Sequence, residues 1–470
     1  MIDRAEVLAV ATDLSLSPEV VEKDYVLGWL LAGIHAQPAL TESWVFKGGT
    51  CLKKCYFETY RFSEDLDFTL TDATQLSSDF LTNAFRDVSA WVYENTGIQI
   101  PGDRLRFDVY NNPRGGISCE GRIYYTGPLP RGGTMPRIKL DLTADELLAL
   151  PPIQRSVGHP YSDLPESGIA ARCYAYEELF GEKVRALGER SRPRDLYDVV
   201  NLFRHSEFRP AAPSILDVLR RKCEFKRIPL PSLASVGVRA QELAADWANM
   251  LGHQLPALPP FESFWSVLPE FFDWLTGVGT IPGAIPEVLA SIQAVAGEEL
   301  YRPAVGVSRR QGVVGSSYIE SIRFAGANRL RVDLGYQGSV RMIEPYSLRR
   351  SRAGDILVYA VKSVTGEARS YRLDRIQSVR ITNEVFVPRY AIELTAGESG
   401  SIPPVSSGSL HTSYRPQART RISSGPTYIY KCPVCQKEFR HKKHNAQLGP
   451  HKSESGWPCS GRSGYLIVTR

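Results

Sequence analysis

Nowhere in the 470 residues does an apolar run reach the ~18 residues that a membrane span requires. The nearest candidate, Tyr25 to Leu40, is interrupted by His35, Gln37 and Pro38, so no membrane partner is expected. The start has Asp3 and Glu6 in its first turns and lacks the basic-then-apolar layout of a secretory leader. With only eight cysteines in so long a chain, a disulfide scaffold is excluded and a reducing, cytoplasmic setting is expected. Collagen-like, coiled-coil and internally repeated patterns are missing as well. What is present is 43% hydrophobic and 23% charged residues, a soluble composition, at a length that accommodates roughly two to four domains.

Charge is unevenly distributed. Residues 281–470 hold 27 Lys and Arg against 14 Asp and Glu, a balance of +13. That leaves 29 against 37, or −8, for residues 1–280. An acidic front half is thus joined to a basic back half, and a basic half points to an anionic partner, nucleic acid first.

Residues 1–40 read as helical, with Ser17 and Pro18 marking a helix start. Strands are expected at Trp44–Phe46, Phe62–Leu70, Leu105–Tyr110, Gly121–Tyr125 and Arg137–Leu142, and a helix over Leu76–Tyr93. After Tyr174 the spacing is mostly helical through Leu275. Gly277 to Pro286 is rich in Gly and Pro and marks a boundary. Short strands with glycine turns over Tyr318–Leu394 suggest a small all-β barrel. The expected division is 1–277 catalytic with a helical C-terminal part, 278–310 linker, 311–396 barrel, 397–427 flexible linker and 428–470 zinc-binding segment.

The strongest chemistry lies at Gly48-Gly49-Thr50 followed by Ser63-Glu64-Asp65-Leu66-Asp67. Alternation on a strand puts Asp65 and Asp67 on one face, where their repulsion favours a hard cation such as Mg²⁺. Asp141, in Lys139-Leu140-Asp141, is the candidate third ligand. The Gly-Gly-Thr turn offers N–H groups and a hydroxyl to a phosphate. A second cluster, Glu177 to Lys183 with Arg190, Arg192 and Arg194-Asp195-Leu196-Tyr197-Asp198, reads either as a helix pair laced with ion pairs or as cations that neutralise a triphosphate.

The run Phe46 to Leu52, then Arg61 to Phe68, then Glu178, Lys183 and Arg194 to Asp198, resembles the AbiEii-type nucleotidyltransferase toxins. Glu22-Lys23-Asp24-Tyr25 and Trp247 to Leu275 resemble the family's N-terminal motif and helical tail. The resemblance covers about residues 1–277 and implies an α+β, polymerase-β-like nucleotidyltransferase core. It implies Mg²⁺ on Asp65 and Asp67, and NTP phosphates against Gly48, Gly49, Thr50 and Ser63. Lys183, with Arg194, would neutralise the triphosphate, and Asp195 or Asp198 would orient it or assist proton transfer. It further implies nucleotide transfer to an RNA end, a tRNA acceptor among the candidates, in antiphage defence, and leaves room for an antitoxin partner.

In the back half, arginines interleave with aromatics, which suits phosphate contact with base stacking. This stretch resembles the WYL domain, an SH3-like barrel, although Asp355-Ile356-Leu357 stands where the eponymous Trp is expected. Arg349, Arg369 and Arg375 are the candidate ligand contacts. Finally, Cys432-Pro433-Val434-Cys435 with His451 and Cys459 has the ligand types of a tetrahedral Zn²⁺ site. A Cys432–Cys435 disulfide and the competing ligands His441 and His444 are the alternatives. Arg440, Lys442, Lys443 and Lys452 surround it and could grip phosphates. The other five cysteines show no metal spacing and read as ordinary thiols. A catalytically idle nucleic-acid-binding regulator is the competing reading of the whole chain.

Overall fold

The computed structural model describes residues 1–57, 60–130, 132–205, 209–278, 298–300, 316–394, 428–441, 445–448, 451–452 and 458–469. Most of the two expected linkers, together with Lys442 and Lys443, lies outside them. Two compact units divide the chain, Met1–Val405 and Ser406–Arg470.

The first unit opens with α1 (Arg4–Leu14) and α2 (Pro18–His35). Ser17 caps α2 by accepting the Val20 N–H, and Pro18 sits where its missing N–H costs nothing. Fourteen of the eighteen residues of α2 are buried, so the apolar run of the sequence is a core helix. After α3 (Pro38–Thr41) come β1 (Trp44–Lys47), α4 (Gly48–Cys51), a π-type turn over Leu52–Tyr56, and β2 (Asp65–Leu70). Helix α5 (Ser78–Thr96) starts on Ser77 and ends on Gly97, whose φ of 80° is one that glycine adopts freely. Strands β3 (Arg106–Asn111), β4 (Ile117–Tyr124), β5 (Arg137–Thr143), β6 (Ile153–Ser156) and β7 (Ala170–Cys173) follow.

These seven strands form one mixed sheet in the order β3-β4-β5-β2-β1-β7-β6. The β2–β5 and β1–β7 pairs are parallel and the others antiparallel. Strands β6 (Ile153–Ser156) and β7 (Ala170–Cys173) are additions to the expected strands. Helices α6 (Tyr176–Arg190), α7 (Pro193–Arg204), α8 (Ala212–Lys226), α9 (Leu233–Gly237), α10 (Ala240–Leu251), α11 (Glu262–Trp265) and α12 (Leu268–Thr276) complete an α+β core. Stacked and tilted rings of Phe180, Phe203, Phe271 and Trp274 hold α6, α7 and α12 together.

The same unit carries an all-β part. Strands β8 (Glu299–Leu300), β9 (Leu330–Tyr336), β10 (Ser339–Arg350), β11 (Ile356–Lys362), β12 (Ala368–Arg372) and β13 (Ile376–Val385) form a sheet in the order β12-β11-β10-β9-β13, with β8 on β10. Helix α13 (Ser316–Ala327) packs on β9, β10 and β13. Among the described strands β12 and β13 do not pair, so the expected closure into a barrel is not seen.

In the second unit β14 (Tyr428–Lys431), β15 (Glu438–His441) and β18 (Tyr465–Thr469) make a three-stranded sheet, and β16 (His451–Lys452) pairs with β17 (Pro458–Cys459). Its described core is small, consisting of Tyr430, Cys432, Leu448 and Cys459. Among the described residues no helix is long and apolar enough to cross a membrane.

Candidate active site

The chain leaves β1 extended at Lys47 and turns at Gly48, whose φ is +83°. Only glycine adopts that conformation without strain, and space forbids anything larger. A Cβ on Gly48 would lie 2.2 Å from Asp67 Oδ2, and one on Gly49 would lie 2.6 Å from Arg61 Nη2 and 3.1 Å from Ser63 Oγ. The two glycines therefore let β2 and the Arg61–Ser63 segment close directly onto the turn. Thr50 is buried and donates its hydroxyl to the Asp65 carbonyl at 2.5 Å. That is a structural bond, so Thr50 pins the turn to β2 where a phosphate contact had been expected.

Asp65 and Asp67 share a face of β2 as the alternation implied. Asp67 lies in register between Lys47 on β1 and Asp141 on β5, and Asp65 lies opposite Lys139. Burial pushes the Asp67 carboxyl up to about 6, with Asp141 and then Asp65 adding to it against Lys47 and Lys183. Burial and then Asp141 raise Asp65 in the same direction. Lys139 Nζ reaches Asp141 at 2.9 Å. The three carboxylates crowd one another electrostatically, and the donor set suits a hard divalent cation. They are not among the described groups whose ligand atoms already converge to within 4.8 Å.

Across from them, the later motif separates into two kinds of residue. Asp198 is fully buried and takes Arg61 through two 2.7 Å bonds, Lys183 at 2.7 Å and the Tyr60 hydroxyl at 2.9 Å. Against the opposing effect of burial, Arg61 and Lys183 hold its carboxyl well below the usual carboxylate range. Asp195 is equally buried and clasped by Arg190 through two 2.8 Å bonds. Neither acid is placed to carry a proton; each fixes a cation.

Arg194 differs. Among the described residues it has no hydrogen bond or ion pair, and its Nε is buried without a partner. Burial and then the neighbouring Arg61 charge lower its pKa, while Asp65 and Glu64 pull the other way. It is a half-buried cation beside Asp65 with no anion assigned to it.

The sequence reading gave no role to several residues that build this site. Lys47 pairs with Glu146, which also accepts from Thr69 and Tyr174 at 3.0 Å. Glu178 caps the Ala149 and Leu150 N–H groups and binds Lys222 at 2.9 Å. In the N-terminal motif, Asp24 is buried on Lys54 at 2.7 Å, whereas Lys23 pairs with Glu64 at 2.5 Å. A cavity of about 260 Å³ beside Asp65 is lined by Lys23, Glu120, Arg122, Arg137 and Lys139. A neighbouring one of about 330 Å³ shares Lys23 and Arg137 and adds Tyr124, Tyr125 and Met135.

Residues 29–276 match the family model described as nucleotidyl transferase AbiEii toxin, type IV toxin–antitoxin system. The match covers more than half of the chain and contains Gly48 through Asp198. The chain belongs to the AbiEii family of nucleotidyltransferase toxins.

Three solved structures are similar to this AbiEii chain. MenT4, a nucleotidyltransferase toxin from Mycobacterium tuberculosis H37Rv, is 19% identical with a TM-score of 0.38, over 60% of this chain and 91% of that one. A putative nucleotidyltransferase from H. pylori is 17% identical with a TM-score of 0.35, over 57% and 100%. JHP933 from Helicobacter pylori is 17% identical with a TM-score of 0.35, over 56% and 96%. Likeness at this level says nothing about how the present site is built. No protein of curated function matches the chain.

Beyond the AbiEii match, Cys432, Cys435, His451 and Cys459 have ligand atoms all within 4.8 Å of one another. Pairing of β16 with β17 puts His451 opposite Cys459, and Cys432 Sγ is 3.7 Å from Cys459 Sγ. A Cβ on Gly461 would lie 2.4 Å from Cys432 Sγ, so a glycine lets the chain wrap the sulfurs. Three sulfurs and one imidazole nitrogen gathered this way suit a tetrahedral Zn²⁺. Of the candidate nucleic-acid contacts, Arg349 is turned inward onto Glu393 at 2.5 Å and Ser347 at 3.1 Å. Arg369 pairs with Glu367 on the surface, and Arg375 is exposed.

Proposed function

We propose that this toxin transfers a nucleotide from an NTP to the end of an RNA, with a tRNA 3′ end as acceptor. The observation that carries the reading is the pairing of raised, crowded carboxylates at Asp65 and Asp67 with the partnerless cation Arg194 beside them. An acid pair of this kind favours a bound cation, and a half-buried guanidinium that no acid holds among the described residues favours a phosphate.

Asp65 and Asp67, with Asp141, would hold Mg²⁺, which when bound activates the attacking hydroxyl and stabilises the pyrophosphate leaving group. The backbone N–H groups of the Gly48-Gly49 turn and the Ser63 hydroxyl would meet phosphate oxygens. Arg194 and Lys183 take up negative charge on the triphosphate, and Asp198 and Asp195 keep Lys183, Arg61 and Arg190 from collapsing onto Asp67. The cavity beside Asp65, lined by Lys23, Arg122, Arg137 and Lys139 together with Glu120, would receive the acceptor end, with Arg137 reaching its backbone. In the back half, a WYL-like sheet displaying Arg369 and Arg375 and a zinc-held segment raise the local RNA concentration near an acidic catalytic part. The type IV toxin–antitoxin description supports an antitoxin as the protein partner.

The test uses the full chain, Mg²⁺, total bacterial RNA and each NTP labelled at its α-phosphate. Label on an RNA size class, lost in Asp65→Asn and in Asp67→Asn, is the expected result. Label on protein alone would replace the acceptor, and no label with any NTP would overturn the reading in favour of a nucleic-acid-binding regulator.

A further inference from the structure

Three cysteines that no spacing rule connects meet behind the glycine turn. Cys51 and Cys55 are one helical turn apart on the segment that continues from Gly48 into the π-type turn. Cys173 ends β7, where parallel pairing sets it in register with Phe46 of β1. The three Sγ atoms all lie within 4.8 Å of one another. Cys51 and Cys173 are sealed at 0% exposure, and Cys55 touches solvent at 5%. Tyr56 Oη stands 3.9 Å from Cys173 Sγ and donates to the Tyr174 carbonyl at 2.5 Å.

Beside the sulfurs lies a charge that needs explaining. The Arg155 guanidinium donates to the Cys55 carbonyl at 3.1 and 3.0 Å and covers the Tyr56 ring at 4.7 Å. Among the described residues it has no carboxylate partner, and it is only partly exposed. A centre of three thiolates and a divalent cation carries one negative charge, which a single guanidinium offsets.

We propose that Cys51, Cys55 and Cys173 form a binding site for one thiophilic d¹⁰ divalent cation of the Zn²⁺ or Cd²⁺ class. With three sulfur donors and no carboxylate or imidazole in the set, the site selects soft cations over Mg²⁺. Binding releases the three thiol protons to solvent, and Arg155 balances the resulting anionic centre. Because Cys51 follows Thr50, whose hydroxyl is tied to Asp65, occupancy clamps the helix behind the glycine turn to β7. The site is independent of the nucleotidyl-transfer reading and stands or falls on metal binding alone.

The experiment is a Cd²⁺ titration of the full chain, stripped of metal and kept reduced, followed by cadmium–thiolate charge-transfer absorption. The wild-type chain should saturate at about two equivalents, one for this set and one for Cys432, Cys435, His451 and Cys459. A chain with Cys432→Ser and Cys435→Ser should keep about one, and adding Cys55→Ser should abolish it. Cys55→Ser changes the residue nearest the surface, so its fold can be checked by circular dichroism against the wild type. If the Cys432→Ser/Cys435→Ser chain shows no thiolate band, or if Cys55→Ser leaves its band unchanged, the three cysteines are core packing and the proposal is wrong.

Discussion

A Cβ placed on Gly48 would lie 2.2 Å from Asp67 Oδ2, and Gly48 has a φ of +83°. The turn and the carboxylate thus share space that no side chain at position 48 can enter. Gly48→Ala should lower transfer at least about 100-fold, since Asp67 must move, and should destabilise the fold by about 1–2 kcal/mol through backbone strain. Initial rates and unfolding midpoints check both; a fully active Gly48→Ala would mean that Asp67 is not held by this contact.

Asp67 titrates near 3.8 when unfolded and is raised to about 6 in the fold. Between these values the folded chain binds more protons, so metal-free stability falls as pH rises through the window and levels off above it. Asp67→Asn should flatten that dependence and stabilise the metal-free chain at pH 7 by no more than about 3 kcal/mol. Mg²⁺ affinity, read by titration of the metal-free chain, should fall as pH drops below about 6, because the neutral acid no longer attracts a cation. Denaturant titrations at several pH values, with and without the substitution, decide the matter.

Arg194 and Arg61 are neighbours with opposite expected behaviour. Arg194→Ala removes a cation with no hydrogen-bond or ion-pair partner among the described residues, so stability should hold or rise while kcat/KM for the NTP drops about 10- to 100-fold, the worth of one charged hydrogen bond. Arg61→Ala takes two charged hydrogen bonds from the buried Asp198, which keeps only Lys183 and the Tyr60 hydroxyl, and should cost about 3–5 kcal/mol of stability. Equal destabilisation by the two substitutions would contradict the assignment of Arg194 as a phosphate contact.

Zinc removal is expected to act locally. Four gathered ligands around a described core of Tyr430, Cys432, Leu448 and Cys459 leave little apolar area to hold residues 428–469 without a metal. A chelator should make this segment protease-sensitive while residues 1–276 stay resistant. A segment that resists protease in chelator would take the metal out of its fold.

Much of the site was written in local sequence. The alternation that puts Asp65 and Asp67 on one face needs only a strand, and the cap at Ser17 with Pro18 needs only a helix start. Glycine at 48 announced a turn, and the spacing of Cys432 and Cys435 pointed to the Cys/His cluster that the fold gathers. The polar half of the later motif was legible as cations and acids but not as to which would be buried. Thr50 illustrates the difference: its hydroxyl has the chemistry of a phosphate contact, and only the packing of β2 commits it to the Asp65 carbonyl.

The sequence alone therefore determined many of the element types, the acidic pair, the Cys and His residues that the fold gathers and the likeness to a toxin family, because each depends on short runs of chain. Strands β6 and β7 and the helix Ser316–Ala327, within the stretch read as strands, did not show in any local pattern. Tertiary structure decided the rest. Arg61 and Lys183 meet on Asp198, Lys47 meets Glu146, and Cys173 comes to Cys51 and Cys55, across separations that no local pattern encodes. The parallel pairing of β1 with β7 makes one of those decisions, placing Cys173 beside the helix after β1, and that of β2 with β5 makes a further one, placing Asp141 beside Asp67. Register in a buried sheet is set by the packing of both faces at once, and that is a property of the folded chain.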